Sequence, residues 1–230
     1  MHRFILPGKL VVGTSVLDDR EVVHQIKDVL RLQKNEKIII CDGVGSEAEA
    51  EILELNRKGI AIHVASIRKN GEEPKREVTL YCAVLKLENF EWVVQKATEV
   101  GVKKIVPVVT AHTVKTALNL SRLKKIVKEA AEQSGRGIVP EIYAPVEFTK
   151  AVAGMSSKQL NLFCHFNGDQ MLQLKVKDEA LSIWVGPEGG WSEGEVELVG
   201  ERDFKMVALG STVLRGETAA VVGAWLAINL

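Results

Sequence analysis

Ile183-Trp184-Val185-Gly186-Pro187-Glu188-Gly189-Gly190 is an apolar run that breaks into glycines around one carboxylate. Ser192 and Glu195 follow with capping-box spacing, so a helix opens directly after the turn. Further on, Leu209-Gly210-Ser211-Thr212-Val213-Leu214-Arg215-Gly216-Glu217-Thr218-Ala219 repeats the order of strand, backbone-exposing loop and helix. Two loops at strand ends make the ligand cleft of an α/β sheet.

Outward from these loops the same rhythm continues. Strands are predicted at 78–85, 105–109, 160–164, 181–185 and 207–209. Between them, Phe90, Val93, Val94, Ala97 and Val100 keep helical spacing and end at Gly101. Leu123, Ile126, Val127, Ala130 and Ala131 mark a second helix, with Ser121 as its cap and Gly135 past its end. A closing helix is predicted over 218–229. Alternating strands and helices imply a mostly parallel sheet covered on both faces.

The first part of the chain reads differently. Runs at 37–41, 48–55 and 59–67 are β-branched or alternating, and 19–32 forms one amphipathic helix. This predicts a small β-barrel-like module over residues 1–70. The charged segment 68–77, broken by Gly71 and Pro74, reads as a linker to the domain over 71–230.

The chain has 230 residues and no net charge, which argues against a globally basic nucleic-acid binder. The charge is unevenly spread. Lys103, Lys104, Lys115, Arg122, Lys124, Lys125, Lys128 and Arg136 face only Glu129 and Glu132, which gives a basic face able to hold phosphates. On its own that run reads more readily as a solvated helix face. Cys41, Cys82 and Cys164 lack metal or redox spacing, so reduced thiols are expected. The apolar start is too short for a secretory signal and no long apolar run is present, so a cytoplasmic protein is expected.

Gly186–Gly190 is neither a phosphate loop nor a dinucleotide fingerprint, which removes support from nucleotide triphosphate and dinucleotide ligands. Glu188 between a proline and two glycines suits a ribose hydroxyl or a ligand amine. In the second loop Arg215 could hold an anion and Glu217 could accept a proton or a cationic group. The same two residues also read as a surface cation and a helix-dipole partner. Arg136, after Gly135, suits a phosphate or base edge, or a helix C-terminus. His165 follows a strand with no second histidine or nucleophile near in sequence, so neither a metal site nor a triad is indicated.

Taken together, these motifs resemble the cofactor loops of the SPOUT methyltransferases. Gln95-Lys96-Ala97-Thr98-Glu99-Val100-Gly101-Val102 and Glu129-Ala130-Ala131-Glu132-Gln133-Ser134-Gly135-Arg136 narrow this further. They are similar to the small-subunit ribosomal RNA uridine-N3 methyltransferase family, as are Leu30-Arg31-Leu32 and Asp42-Gly43. The resemblance implies an N-terminal PUA-like β-barrel, a C-terminal α/β trefoil-knot domain and a homodimer. It also implies S-adenosylmethionine as cofactor and 16S ribosomal RNA, or the small ribosomal subunit, as partner. Cofactor contacts are expected from Leu162, His165, Val185, Gly186, Pro187, Glu188 and Gly190. Leu209, Gly210, Val213, Leu214, Arg215, Thr218 and Ala219 are expected to complete them. The implied catalytic set is Arg215, Glu217 and Arg136. RNA contacts are expected from Arg3, Arg31, Lys124, Lys125, Lys128 and Arg136. Many relatives carry Arg where His112 stands, and often Cys where Ala131 stands, so a cysteine-dependent mechanism is not expected. Two rivals stand beside this: a methyltransferase acting on another RNA base or a ribose, and a non-catalytic RNA-binding assembly factor that would bind no cofactor.

Overall fold

The computed structural model describes residues 1–6, 8–114, 117–155 and 159–230; Lys115 of the basic run lies outside the described residues. The chain divides into two compact units. One holds residues 1–73 and 131–139, the other 74–130 and 140–230.

The first unit is built on one sheet of β1 (Arg3–Ile5), β2 (Gly13–Leu17), β3 (Lys37–Cys41), β4 (Ser46–Asn56), β5 (Gly59–Val64) and β6 (Arg68–Lys69). The order is β1-β3-β4-β5-β2, with β6 against β4, and only β1–β3 is a parallel pair. Alternation decides which side faces inward: Ile38, Ile40, Ile52, Ile60, Ile62 and Val64 form the core. Helix α1 (Arg20–His24) starts at Asp19, whose carboxylate accepts from the amides of Glu21 and Val22. It runs on as a π turn, Gln25–Val29, and stops before Arg31, whose φ of 53° no helix can continue.

The segment expected as a linker is tied into this unit. β6 pairs with Ser46–Glu47. The Glu73 carboxylate accepts from the amides of Gly137 and Ile138 and pairs with Arg136 at 2.9 Å. Residues 131–139 therefore group with the first unit, where Ala131 and Val139 pack with Ile5 and Cys41. A second polar cluster centres on buried Glu47, which accepts from Arg3 and Asn70 at 2.7 Å each and from Arg68 at 2.9 Å. Burial pushes the Glu47 carboxyl up. The donors and the guanidinium charges outweigh that and hold it below the usual carboxylate range.

The second unit has β7 (Glu77–Ala83), β8 (Lys104–Val109), β9 (Glu141–Ile142), β10 (Val146–Glu147), β11 (Leu160–Gln170), β12 (Ala180–Val185) and β13 (Phe204–Ala208). The strand order is β10-β8-β7-β12-β11-β13, with β9 beside β8, and every pairing is parallel. The helices are α2 (Leu87–Val100), α3 (Leu120–Ser134, whose last four residues group with the first unit), α4 (Phe148–Ala153), α5 (Glu193–Gly200) and α6 (Gly216–Asn229). Ser121 is already inside α3; its cap is Asn119, whose side-chain oxygen accepts the Arg122 amide at 3.1 Å. The Ser192–Glu195 capping box opens α5 as expected.

An aromatic cluster fills the core under the sheet. Tyr81 stacks on Trp184 at 4.1 Å between ring centres, and Phe148 meets Trp184 edge-on at 5.9 Å. The buried Trp184 Nε1 donates to Ser182 Oγ at 2.9 Å, which donates to Asn161 Oδ1 at 2.7 Å. That chain satisfies the polar atoms that burial would otherwise penalise. His165, expected beyond a strand, lies inside β11, which continues to Gln170 with a register slip against β13 between Cys164 and Asp169.

Candidate active site

The site forms where neighbouring strands β7 and β12 end. Leu85 and Lys86 follow β7 and lead into α2, and Gly186 follows β12. Helix α6 begins against both. A methyl group on Gly216 would stand 3.0 Å from Leu85 Cδ2 and 3.6 Å from the Gly186 carbonyl oxygen. The two glycine loops of the sequence therefore meet, and a side chain on Gly216 would press against Leu85.

The first loop is held on several sides. Its turn closes with the Gly190 amide donating to the Pro187 carbonyl at 2.9 Å, and Gly190 has φ 72°. The Trp191 ring lies against Gly186 and donates from Nε1 to the Cys164 carbonyl of β11 at 3.0 Å. Glu188 accepts a long bond, 3.5 Å, from the Lys86 amide. His112, from the loop after β8, reaches the Gly190 carbonyl at 2.9 Å. Lys86, His112 and Trp191 were not legible as loop supports. Only Trp191, set directly after two glycines, gave a signal.

The expected cofactor residues divide by burial. Leu162 and Val185 are strand residues in the core, so they support the loops from beneath. Pro187 is buried, while Glu188 and Gly190 are exposed. Leu209 packs toward Gly223 of α6; Gly210 and Val213 are open to solvent and Leu214 is half-buried. Thr218 and Ala219 are half-buried in the first turn of α6. His165 accepts from the Asn167 amide at 3.3 Å and its ring lies 4.6 Å from that of Phe166.

Of the expected catalytic set, Arg215 and Glu217 stand together at the start of α6. Arg215 occupies the cap position without a side-chain cap bond, and its carbonyl accepts the Ala219 amide at 2.8 Å. Glu217 is a half-buried acid of the first turn, where it complements the helix dipole. Arg136 has another setting. Its side chain is 5% exposed and committed to Glu73, because a buried guanidinium needs a partner. Arg3 is likewise enclosed, with its charge on Glu47 and Cys41. Arg31 is exposed. Lys124 and Lys125 are exposed and Lys128 is half-buried, opposite the buried Leu123 and Val127 of α3. Lys125 stands 3.9 Å from Glu129.

A cavity of about 510 Å³ opens at the far end of α6. There Arg76 donates to the carbonyls of Ala227 and Leu230, which caps the helix. Its lining on α6 begins at Trp225, nine residues or about 14 Å along the helix from Gly216, so it is distinct from the loop cleft. Among the described residues no helix is long and apolar enough to cross a membrane.

A family model described as an RNA methyltransferase domain matches residues 72–227, and one described as an RNA methyltransferase PUA domain matches residues 17–64. A Synechocystis protein named ribosomal RNA small subunit methyltransferase E is 32% identical over 96% of this chain and 75% of its own length. The crystal structure of a ribosomal RNA small subunit methyltransferase E from Neisseria gonorrhoeae, bound to S-adenosyl methionine, superposes with a TM-score of 0.91 at 32% identity. It covers 97% of this chain and 95% of its own. A Legionella pneumophila methyltransferase with bound cofactor gives 0.88 at 28% identity, covering 98% and 96%. The α/β fold with a PUA-type first module, expected from the motifs, is the one these matches share.

Proposed function

The chain belongs to the ribosomal RNA small subunit methyltransferase E family of RNA methyltransferases, and from that premise we propose that it methylates N3 of one uridine in 16S ribosomal RNA with S-adenosylmethionine. The observation that carries this reading is the meeting of the two glycine loops at Gly216, where an added methyl group would stand 3.6 Å from the Gly186 carbonyl oxygen. The similarly folded Neisseria protein binds S-adenosyl methionine.

The residues present fit that molecule. A cradle of backbone amides and carbonyls with the glycine side chains missing suits a ligand bearing an adenine, ribose hydroxyls and an amino-acid end. Glu188, exposed and between loop glycines, suits a ribose hydroxyl. When bound, the cofactor supplies a methyl group on a positively charged sulfur.

The chain's own residues do the rest. Uridine N3 carries a proton that must leave before it can attack, and Glu217 is the group proposed to accept it. A positioned base contributes roughly 10²–10⁴-fold. Arg215 is the group proposed to stabilise negative charge on a uracil carbonyl as that proton leaves. The rigid strand ends fix the distance between the two reactants. Arg136, enclosed with Glu73, is assigned to holding residues 131–139 in place rather than to chemistry.

Residues 1–70 are proposed as a PUA-like RNA-binding domain and 71–230 as the methyltransferase domain. Lys124, Lys125 and Lys128 on α3 and Arg31 are proposed to contact RNA phosphates. The reading includes a homodimer, supported by the apolar α6, whose Trp225 remains 52% exposed.

The test is to incubate purified small subunits that lack the modification with the protein and labelled cofactor, then map the methylated nucleotide by mass spectrometry. One N3-methyluridine in 16S RNA is expected. A methyl group on another base or on a ribose would overturn the uridine assignment. No cofactor binding in calorimetry would favour the assembly factor.

A further inference from the structure

The loop after β8 fastens once to the Gly186–Gly190 turn and once to helix α5. His112 Nδ1 lies 2.9 Å from the Gly190 carbonyl oxygen. A carbonyl only accepts, so the imidazole donates from Nδ1. One residue earlier, the Ala111 amide donates to Glu195 Oε1 at 2.9 Å. The other oxygen of Glu195 accepts from the Ser192 amide at 2.8 Å, in the capping box of α5.

The loop is closed on itself by two hydrogen bonds. The Thr110 amide donates to Thr113 Oγ1 at 2.9 Å, and the Thr113 amide returns to the Thr110 carbonyl at 3.1 Å. His112 is thereby presented on a closed turn whose base is pinned to α5. The fit against the glycine turn is close: a methyl group on Gly189 would stand 3.2 Å from His112 Cβ. The Gly186–Gly190 turn closes itself through the Pro187–Gly190 bond, but its last carbonyl points outward and is held from outside.

We infer that His112 is a positioning residue for the cofactor loop: it clamps the Gly190 carbonyl and keeps the Pro187–Gly190 turn in the form that receives the methyl donor. The inference rests on the cofactor reading given above. The clamp needs a donor where Nδ1 stands and needs no charge. An asparagine carries its side-chain N–H at a comparable reach from the backbone, whereas alanine carries none.

The experiment compares the parent, His112→Ala and His112→Asn. S-adenosylmethionine binding is measured by calorimetry, amide exchange at Gly190 by mass spectrometry or NMR without cofactor, and thermal unfolding as a control. His112→Ala is expected to weaken cofactor binding about fivefold, the effect of one lost hydrogen bond, with the unfolding temperature unchanged. Gly190 exchange is expected to rise severalfold, and His112→Asn to restore both. Parent-like binding and exchange in His112→Ala would overturn the inference. So would failure of His112→Asn to restore either property in a folded protein. A parent that binds no S-adenosylmethionine would instead sink the cofactor reading, and the exchange comparison alone would then decide whether the clamp exists.

Discussion

Replacing Glu47 with glutamine tests whether the first unit depends on its enclosed ion cluster. The Glu47 side chain is 6% exposed and that of Arg3 11%. Removing one member of a buried pair costs about 3–5 kcal/mol. Glutamine keeps an oxygen for one neutral bond, which returns about 1 kcal/mol. The Arg68 partner is 76% exposed, so its share stays within about 1 kcal/mol. The net loss expected for Glu47→Gln is about 2–4 kcal/mol. Trp92, Trp184, Trp191 and Trp225 all lie in the second unit, so tryptophan fluorescence does not report this change. Far-UV circular dichroism in urea, with amide exchange at Ile38 and Ile40, does. The pH dependence has a definite sign. The Glu47 carboxyl is held low in the folded state, so its stabilisation is complete above the ordinary glutamate range and fades as pH falls through the folded value. The gap between parent and variant should therefore close on acidification. A gap under about 1 kcal/mol near neutral pH, or one that stays constant into acid, would refute the reasoning.

Glu217→Gln is expected to lower turnover by roughly 10²-fold or more with cofactor affinity unchanged; normal turnover at saturating RNA and cofactor would remove it as the base. Lys124→Ala with Lys128→Ala should weaken RNA binding and reduce the salt slope by up to about two, and an unchanged slope would remove this face from the site. Gly216→Val places two further methyl groups against Leu85 and the Gly186 carbonyl, an overpacking of roughly 1–3 kcal/mol, and calorimetry should show weakened S-adenosylmethionine binding. Ser182→Ala takes the acceptor from buried Trp184 Nε1 and should lower the second unit's stability by about 1–3 kcal/mol in fluorescence-monitored unfolding.

The loops at Gly186–Gly190 and Leu209–Ala219, the parallel order of the second unit and the strand at 37–41 were all legible. Each rests on local signals: a period, a capping box, a glycine at a strand end. Asn119 displaced Ser121 as the cap because two polar residues near one helix start give the same signal, and only the amide geometry separates them. The short strands β9 and β10 left no period to read. They form because β8 offers an unpaired edge.

The sequence by itself determined the kind of site. Glycines between a strand and a helix expose backbone wherever they occur, and the order of the motifs marked the family. The tertiary structure alone decided which charges are enclosed. Arg3 and Arg136 look the same in sequence as the exposed lysines of α3, yet each is enclosed with a carboxylate distant in the chain, Glu47 and Glu73. A charge's use depends on what folding brings within about 3–4 Å of it, and sequence spacing does not encode that distance. The same holds for His112, whose partner Gly190 is 78 residues away.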